Sequence, residues 1–285
     1  MEDLARGATS QALDCDAWAD RFTVADAGRL LVLLSNSRCG TQLLKRSVTQ
    51  FGDIGDSFEV FARHDLPSGS KGFNRFVQEV EGAGQAAILD PERAMRGYLA
   101  WYLDGQYHDH VLIDMKYAHL GRLGLDERTP PLPQIAVILA AWRVPVIHLM
   151  RTNPLQEAIS ALVAEQTGEY ALLAGQATTA QTPPGVHLDP AKVAELAHAR
   201  RAAHLAAAGL LRELGFRYQR VFTETIRGPG RVREILRVLH GFGIWCEPPA
   251  HLHEPLLDQN SVGRVTNLSQ IIDHLRQHSP DLAAD

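Results

Sequence analysis

The sequence predicts an α/β fold with three layers, in which a mainly parallel central sheet carries a P-loop-like phosphate-binding strand–loop–helix. Three observations predict it. Short apolar runs alternate with helical patterns along the 285 residues, the order that βαβ units produce. The runs Leu30–Leu34 and Val144–Met150 are mostly apolar on consecutive residues, as strands covered on both faces must be. Both of these runs stop at a short polar loop and restart at once as a helix.

The elements follow in order. Leu30–Leu34 is the first strand, and Leu44, Val48 and Phe51 then repeat at helical spacing. An irregular stretch is expected from Gly52 to Gln85. A helix opens at Asp90, where Asp90 caps and Pro91 takes the first turn. The strand His110–Lys116 comes next, followed by a helix over Gln134–Trp142 and the strand ending at Met150. Beyond Arg151, Asn153 is the expected N-cap, Pro154 suits the first helical position and Gln156 stands where a capping box closes. Gly168–Leu188, rich in Gly, Thr, Gln and Pro, reads as a mobile loop or lid. A long Ala-rich helix runs from Pro190 to about Leu214, Tyr218–Thr225 alternates as a strand, and Pro229–His240 places Val232, Ile235, Leu236 and Leu239 on one helical face.

Composition narrows the function. No repeat, linker or low-complexity tract divides the chain, so a single domain over 1–285 is expected. The longest apolar stretch, Ile135–Trp142, is too short to span a bilayer, and the N-terminus lacks the basic-then-apolar order of a secretory signal. Cys15, Cys39 and Cys246 are an odd, scattered set, which argues against a disulfide framework and points to a reducing, cytoplasmic setting. A formal net charge of -5 argues against nucleic acid as a partner. The nine arginines from Arg200 to Arg237 read as a solvated helical face. No Gly-x-Ser-x-Gly elbow and no Gly-x-Gly-x-x-Gly turn is present. Neither His108 with His110 nor Cys246 with His251 and His253 supplies four metal ligands at a recognised spacing.

The loop after the first strand carries the chemistry. Backbone N–H groups from Cys39, Gly40 and Thr41 to Gln42 and Leu43 lie where a new helix leaves its donors unpaired, with its positive dipole end beside them. Gly40 allows close approach, Thr41 and Gln42 add side-chain donors, and Arg38 adds charge. An ordinary strand–turn–helix corner would show the same pattern. The loop lacks the Gly-Lys-Ser/Thr ending of nucleoside-triphosphate P-loops.

The run Ser37-Arg38-Cys39-Gly40-Thr41-Gln42 resembles the 5′-phosphosulfate loop of sulfotransferases that use 3′-phosphoadenosine 5′-phosphosulfate (PAPS), with Cys39 and Gln42 in place of hydroxyl residues. Arg151, followed by Gln156-Glu157-Ala158-Ile159-Ser160 and a helix running on to Gln166-Thr167, resembles the 3′-phosphate junction of the bacterial carbohydrate branch, which includes trehalose and lipopolysaccharide sulfotransferases. The resemblance covers about Leu30–Ile226. It implies PAPS as co-substrate, no metal, and a carbohydrate, glycolipid or other small-molecule hydroxyl as acceptor. It also implies that Arg151 and Ser160 hold the 3′-phosphate and that Arg38 stabilises charge on the transferring group. Glu59, in step with Gly52, Gly55 and Phe61, matches the family's catalytic base, its basicity raised by the apolar neighbours Phe58, Val60 and Phe61. Lys116 parallels a lysine that precedes an aromatic and contacts anion or acceptor. Gln259, Asn260, Ser261 and Arg264 match a phosphate-contacting loop, making 241–285 a cofactor-covering segment beside a core at about 29–240. A nucleotide-dependent phosphotransferase and a non-catalytic nucleotide-binding protein of the same fold stay open, as does assembly as a homodimer.

Overall fold

The computed structural model describes residues 14–57, 59–61, 71–82, 90–119, 134–168, 185–249 and 261–283. Two short helices, α1 (Cys15–Arg21) and α2 (Val24–Gly28), lead into β1 (Leu30–Ser35), α3 (Thr41–Val48) and β2 (Ile54–Asp56). After these come α4 (Phe73–Gly82), α5 (Pro91–Leu103), β3 (His110–Lys116), α6 (Gln134–Ala141) and β4 (Val146–Met150). The chain continues through α7 (Pro154–Thr167), α8 (Pro190–Glu213), β5 (Tyr218–Phe222), α9 (Thr223–Arg227) and α10 (Arg231–Gly241), then α11 (Leu268–His278) and α12 (Pro280–Ala283). Among the described residues no helix is long and apolar enough to cross a membrane.

The five strands form one sheet in the order β2-β3-β1-β4-β5, and every pairing is parallel. Parallel strands need crossovers, and helices supply them on both faces. The alternation within β1 shows the layering: Leu30, Val32 and Leu34 pack with Met95, Tyr98, Leu99 and Ile138 of α5 and α6. Leu31 and Leu33 pack on the other face with Leu44 and Val48 of α3 and with Val238 and Leu239 of α10. A third cluster joins α7, α8 and α11 through Ile159, Val193, Ile271 and Leu275, and a single bridge pairs Val186 with Val265. The C-terminal segment is thereby fixed against α7 and α8.

Local chemistry sets the helix starts. Asp90, Asn153 and Asp189 each cap the helix that follows, accepting from the backbone N–H of Glu92, Gln156 and Ala191, with a proline next in sequence. Helix α3 starts differently, from Gly40 in the left-handed region with no side-chain cap.

Two expectations change. The stretch 52–85, expected to be irregular, holds β2 and α4 among its described residues. Strand β2 is three residues long, too short for periodicity to register. Phe73, Phe76, Val77 and Val80 of α4 do repeat at helical spacing; Phe73, Phe76 and Val80 are buried, and the two Phe rings meet Tyr98 and Trp101. The strand expected to reach Thr225 stops at Phe222, because Thr223 turns inward and donates its hydroxyl to the carbonyls of Cys39 and Met150. Of the expected lid, residues 169–184 lie outside the described residues, as do Phe58, Gln259 and Asn260.

Candidate functional site

Strand register brings the loops together. Ser35 pairs with Lys116 on one side and with Leu149 on the other, so β1, β3 and β4 end at one level. Phe222 pairs with Met150, which places Thr223 beside the turn after β4. From β1 the chain crosses through α3 to β2 on one side, whereas from β4 it crosses through α7 and α8 to β5 on the other, the arrangement that opens a crevice beyond the carboxyl ends of β1 and β4.

In the β1–α3 loop, Gly40 has φ 78°, and a Cβ there would meet Thr223 Cγ2 at 2.9 Å. Only glycine fits both constraints. Arg38 also has a positive φ, 69°, uncommon for a residue with a Cβ. Cys39 and Leu43 are buried in the core beneath the loop, so they can offer a ligand only their backbone. Thr41 is half-buried and Gln42 exposed. Burial and the nearby Glu157 charge hold the Cys39 thiol well above its ordinary pKa, so it remains a thiol, unsuited to nucleophilic work.

The second junction meets the first directly. Arg38 Nε donates to Ser160 Oγ at 3.2 Å, across 122 residues of sequence. Ser261 Oγ donates to the same oxygen at 3.4 Å, so the C-terminal segment reaches the site. Arg151 is half-buried at the end of β4, and its Nε has no hydrogen-bond partner. Burial first, then the neighbouring Arg227 charge, lower its pKa. An anion between these two guanidinium groups would relieve both effects. Glu224 opposes them in part: its carboxylate lies close enough to raise the Arg151 pKa and accepts from Thr152 N–H at 3.1 Å.

Glu59 and Lys116 also meet. Lys116 Nζ lies 3.2 Å from Glu59 Oε1 and 2.7 Å from Asp114 Oδ1. Asp114 is fully buried, and burial raises its pKa against the pull of Lys116 and Lys45. Lys45, buried on α3, lies 3.5 Å from Asp56 and 3.9 Å from Asp114 and donates to the Ser57 carbonyl. The apolar setting expected for Glu59 takes another form: Val60 and Phe61 turn into the core, and the carboxylate, about a third exposed at 35%, rests on Lys116 instead.

Beneath these groups runs a polar chain that the sequence did not announce. Glu157 Oε2 lies 2.8 Å from His204 Nε2, His204 Nδ1 lies 2.7 Å from Tyr117 Oη, and Tyr117 Oη lies 2.7 Å from His148 Nε2. A carboxylate only accepts, so His204 donates through Nε2. Its Nδ1 then accepts from Tyr117, which accepts in turn from His148. This order leaves His148 Nδ1 a bare lone pair, and that atom has no hydrogen-bond partner. Burial, then His204 and Arg220, lower the His148 pKa from 6.5 to about 4.

The consequence is acid sensitivity. Between those two values the unfolded chain binds a proton that the folded one refuses, so the stability present above pH 6.5 is lost as pH falls toward 4. The loss should be about 3 kcal/mol. Urea unfolding across this range should show a shallower slope for His148→Gln than for the wild type; equal slopes would refute the assignment.

Cys39, Glu157 and His204 also bring metal-ligand atoms within 4.8 Å of one another, the one such grouping among the described residues. Arg200 Nη1, however, lies 3.5 Å from Glu157 Oε1, and His204 donates to Oε2. A guanidinium charge faces one carboxylate oxygen and an N–H donor the other. Among the described residues, buried polar atoms without hydrogen-bond partners fall on both faces of the sheet: Ser35 Oγ and Asp114 Oδ2 on the face of α3, His148 Nδ1 on the opposite face, and Arg151 Nε, Glu157 Oε1 and Arg200 Nε at the end of β4 and on α7 and α8. Buried polar atoms left without partners are rare in folded proteins, and each calls for an explanation.

Of the residues singled out from sequence, the structure joins Arg38 and Ser261 each to Ser160, and Glu59 to Lys116. Arg264 lies in the short turn after Ser261, its carbonyl accepting from Val186 N–H at 2.8 Å. Compared with protein-family models and with curated proteins, the chain matches none.

Proposed function

We propose that the chain is a PAPS-dependent sulfotransferase that acts on a hydroxyl of a carbohydrate, glycolipid or other small molecule. One observation carries the reading: Arg38 and Ser160, from two junctions with separate phosphate-binding signatures, are hydrogen-bonded to each other. PAPS carries an anionic cluster at its 5′ end and a second phosphate on the ribose. A protein that holds it needs two cationic sites side by side on one edge of the sheet, as the ends of β1 and β4 are. The uncapped start of α3 would take the 5′ group; Arg38, expected from sequence at the transferring group, lies against Ser160 and would instead join Arg151 around the 3′-phosphate.

The chemistry is in-line displacement at sulfur. The acceptor oxygen forms a bond to sulfur as the bond from sulfur to the 5′-phosphate oxygen breaks, and Glu59 takes the acceptor's proton. Lys116 holds the Glu59 carboxylate and adds positive charge where negative charge spreads over the sulfuryl oxygens. Adenosine 3′,5′-bisphosphate departs.

Calorimetry separates this from the other readings. Adenosine 3′,5′-bisphosphate should bind at least about tenfold more tightly than AMP, because the second phosphate adds charge-assisted bonds. Tight ATP-Mg²⁺ binding with weak bisphosphate binding would support a phosphotransferase and overturn the proposal. Bisphosphate binding without turnover of PAPS on any acceptor would indicate a non-catalytic nucleotide-binding protein.

A further inference from the structure

Glu157 has no place in the mechanism above, yet it is fully buried. An ionised carboxylate is costly to bury, and an apolar side chain of similar size would pack as well among its neighbours. Ala158, Ile159 and Leu162 around it on α7 are core residues already. Two of its partners lead to the β1–α3 loop. Arg200 Nη1 faces Glu157 Oε1 and also donates to Ser37 Oγ at 3.1 Å. The Cys39 thiol lies within 4.8 Å of the carboxylate and is held up by its charge. The third partner, His204, is fixed from behind by Tyr117 and His148, so the carboxylate cannot swing away. Ser37 and Cys39 flank Arg38, the residue whose backbone takes the uncommon positive φ.

We propose that Glu157 is a positioning residue: through Arg200 and the Cys39 thiol it clamps the β1–α3 loop in the conformation that presents its amides and Arg38 to a bound anion. The clamp explains why an Arg and a thiol converge on one buried carboxylate. It also gives the Tyr117–His204 arm a task, which is to hold Glu157 in one rotamer. Arg200 supplies positive charge at Glu157 Oε1 and the His204 Nε2–H a hydrogen bond at Oε2, so the cluster needs no cation. The nucleotide part of the test rests on the sulfotransferase reading, and the thiol part does not.

The test compares full-length wild type with Glu157→Leu, Glu157→Gln and Ser37→Ala. Ser37 is exposed, so the last variant leaves the core intact. Native N-ethylmaleimide labelling is followed on the Cys39 peptide by mass spectrometry, with the buried Cys15 as reference, alongside thermal melts and bisphosphate titration. Cys39 should label at least about tenfold faster in both Glu157 variants and severalfold faster in Ser37→Ala, with Cys15 unchanged. Glu157→Leu leaves Arg200 and the His204 N–H without their acceptor and should melt below the wild type, while bisphosphate affinity falls at least about tenfold in whichever Glu157 variant stays folded. A folded Glu157→Leu with wild-type labelling and affinity would overturn the proposal, because Glu157 would then only fill space. One zinc per purified chain, lost in Cys39→Ser, would overturn it in favour of a metal centre. If the wild type binds no bisphosphate while Cys39 labelling still accelerates, the clamp stands and the sulfotransferase reading falls.

Discussion

Replacing Glu59 by Gln should lower turnover by roughly 10²–10⁴ while leaving bisphosphate affinity close to that of the wild type. The side chain keeps its size and polarity but loses the capacity to take the acceptor's proton. The fold has little reason to respond, because Lys116 keeps its 2.7 Å bond to Asp114 when its contact with Glu59 weakens. The carboxylate is about one-third exposed, so the change leaves no buried charge unpaired. Initial rates with PAPS and a turnover-competent acceptor, together with a bisphosphate titration, are the check. Near-normal turnover by the folded variant would remove Glu59 from the mechanism and turn attention to the neighbouring His119, whose Nδ1 accepts from Lys116 N–H.

Arg151→Ala should have the opposite signature, with binding lost first. A charge-assisted bond to phosphate contributes about 1.5–3 kcal/mol, so bisphosphate affinity should fall about 10- to 150-fold. Removing Arg151 also removes repulsion with Arg227, so the empty protein should be no less stable, and thermal melts without ligand check this. AMP affinity should change far less than bisphosphate affinity, since AMP has no 3′-phosphate. Equal losses for the two nucleotides would place Arg151 at the 5′ end instead.

What the sequence made legible was local. Leu30–Ser35 and Val146–Met150 announce themselves by unbroken or nearly unbroken apolar character, and the Asn153-Pro154 and Asp90-Pro91 pairs mark helix starts within a few residues. Both junctions could therefore be read, and strand register then did what no local pattern can by setting Arg38 against Ser160. The Glu157–His204–Tyr117–His148 chain was not legible, because its links span 47, 87 and 31 residues. In sequence, His148 only interrupts an apolar strand and Glu157 only decorates the first turn of a helix. Lys45 is hidden for the same reason: on α3 it reads as a solvent-facing lysine until β3 brings Asp114 to it. The apolar residues beside Glu59 misled in another way. Val60 and Phe61 are apolar because they serve the aromatic core with Phe73 and Tyr98, not because they desolvate the carboxylate.

The most direct measurement is a crystal structure of the wild-type protein with adenosine 3′,5′-bisphosphate. The account predicts the 5′-phosphate on the backbone N–H groups of Cys39–Gln42 at the start of α3. It predicts the 3′-phosphate between Arg151 and Ser160, with the Arg38 guanidinium turning from Ser160 onto the phosphate oxygens. Glu59 and Lys116 should then border the space where the sulfuryl group would sit. A nucleotide bound away from the ends of β1 and β4, or bound there with its 3′-phosphate in solvent, would contradict the account.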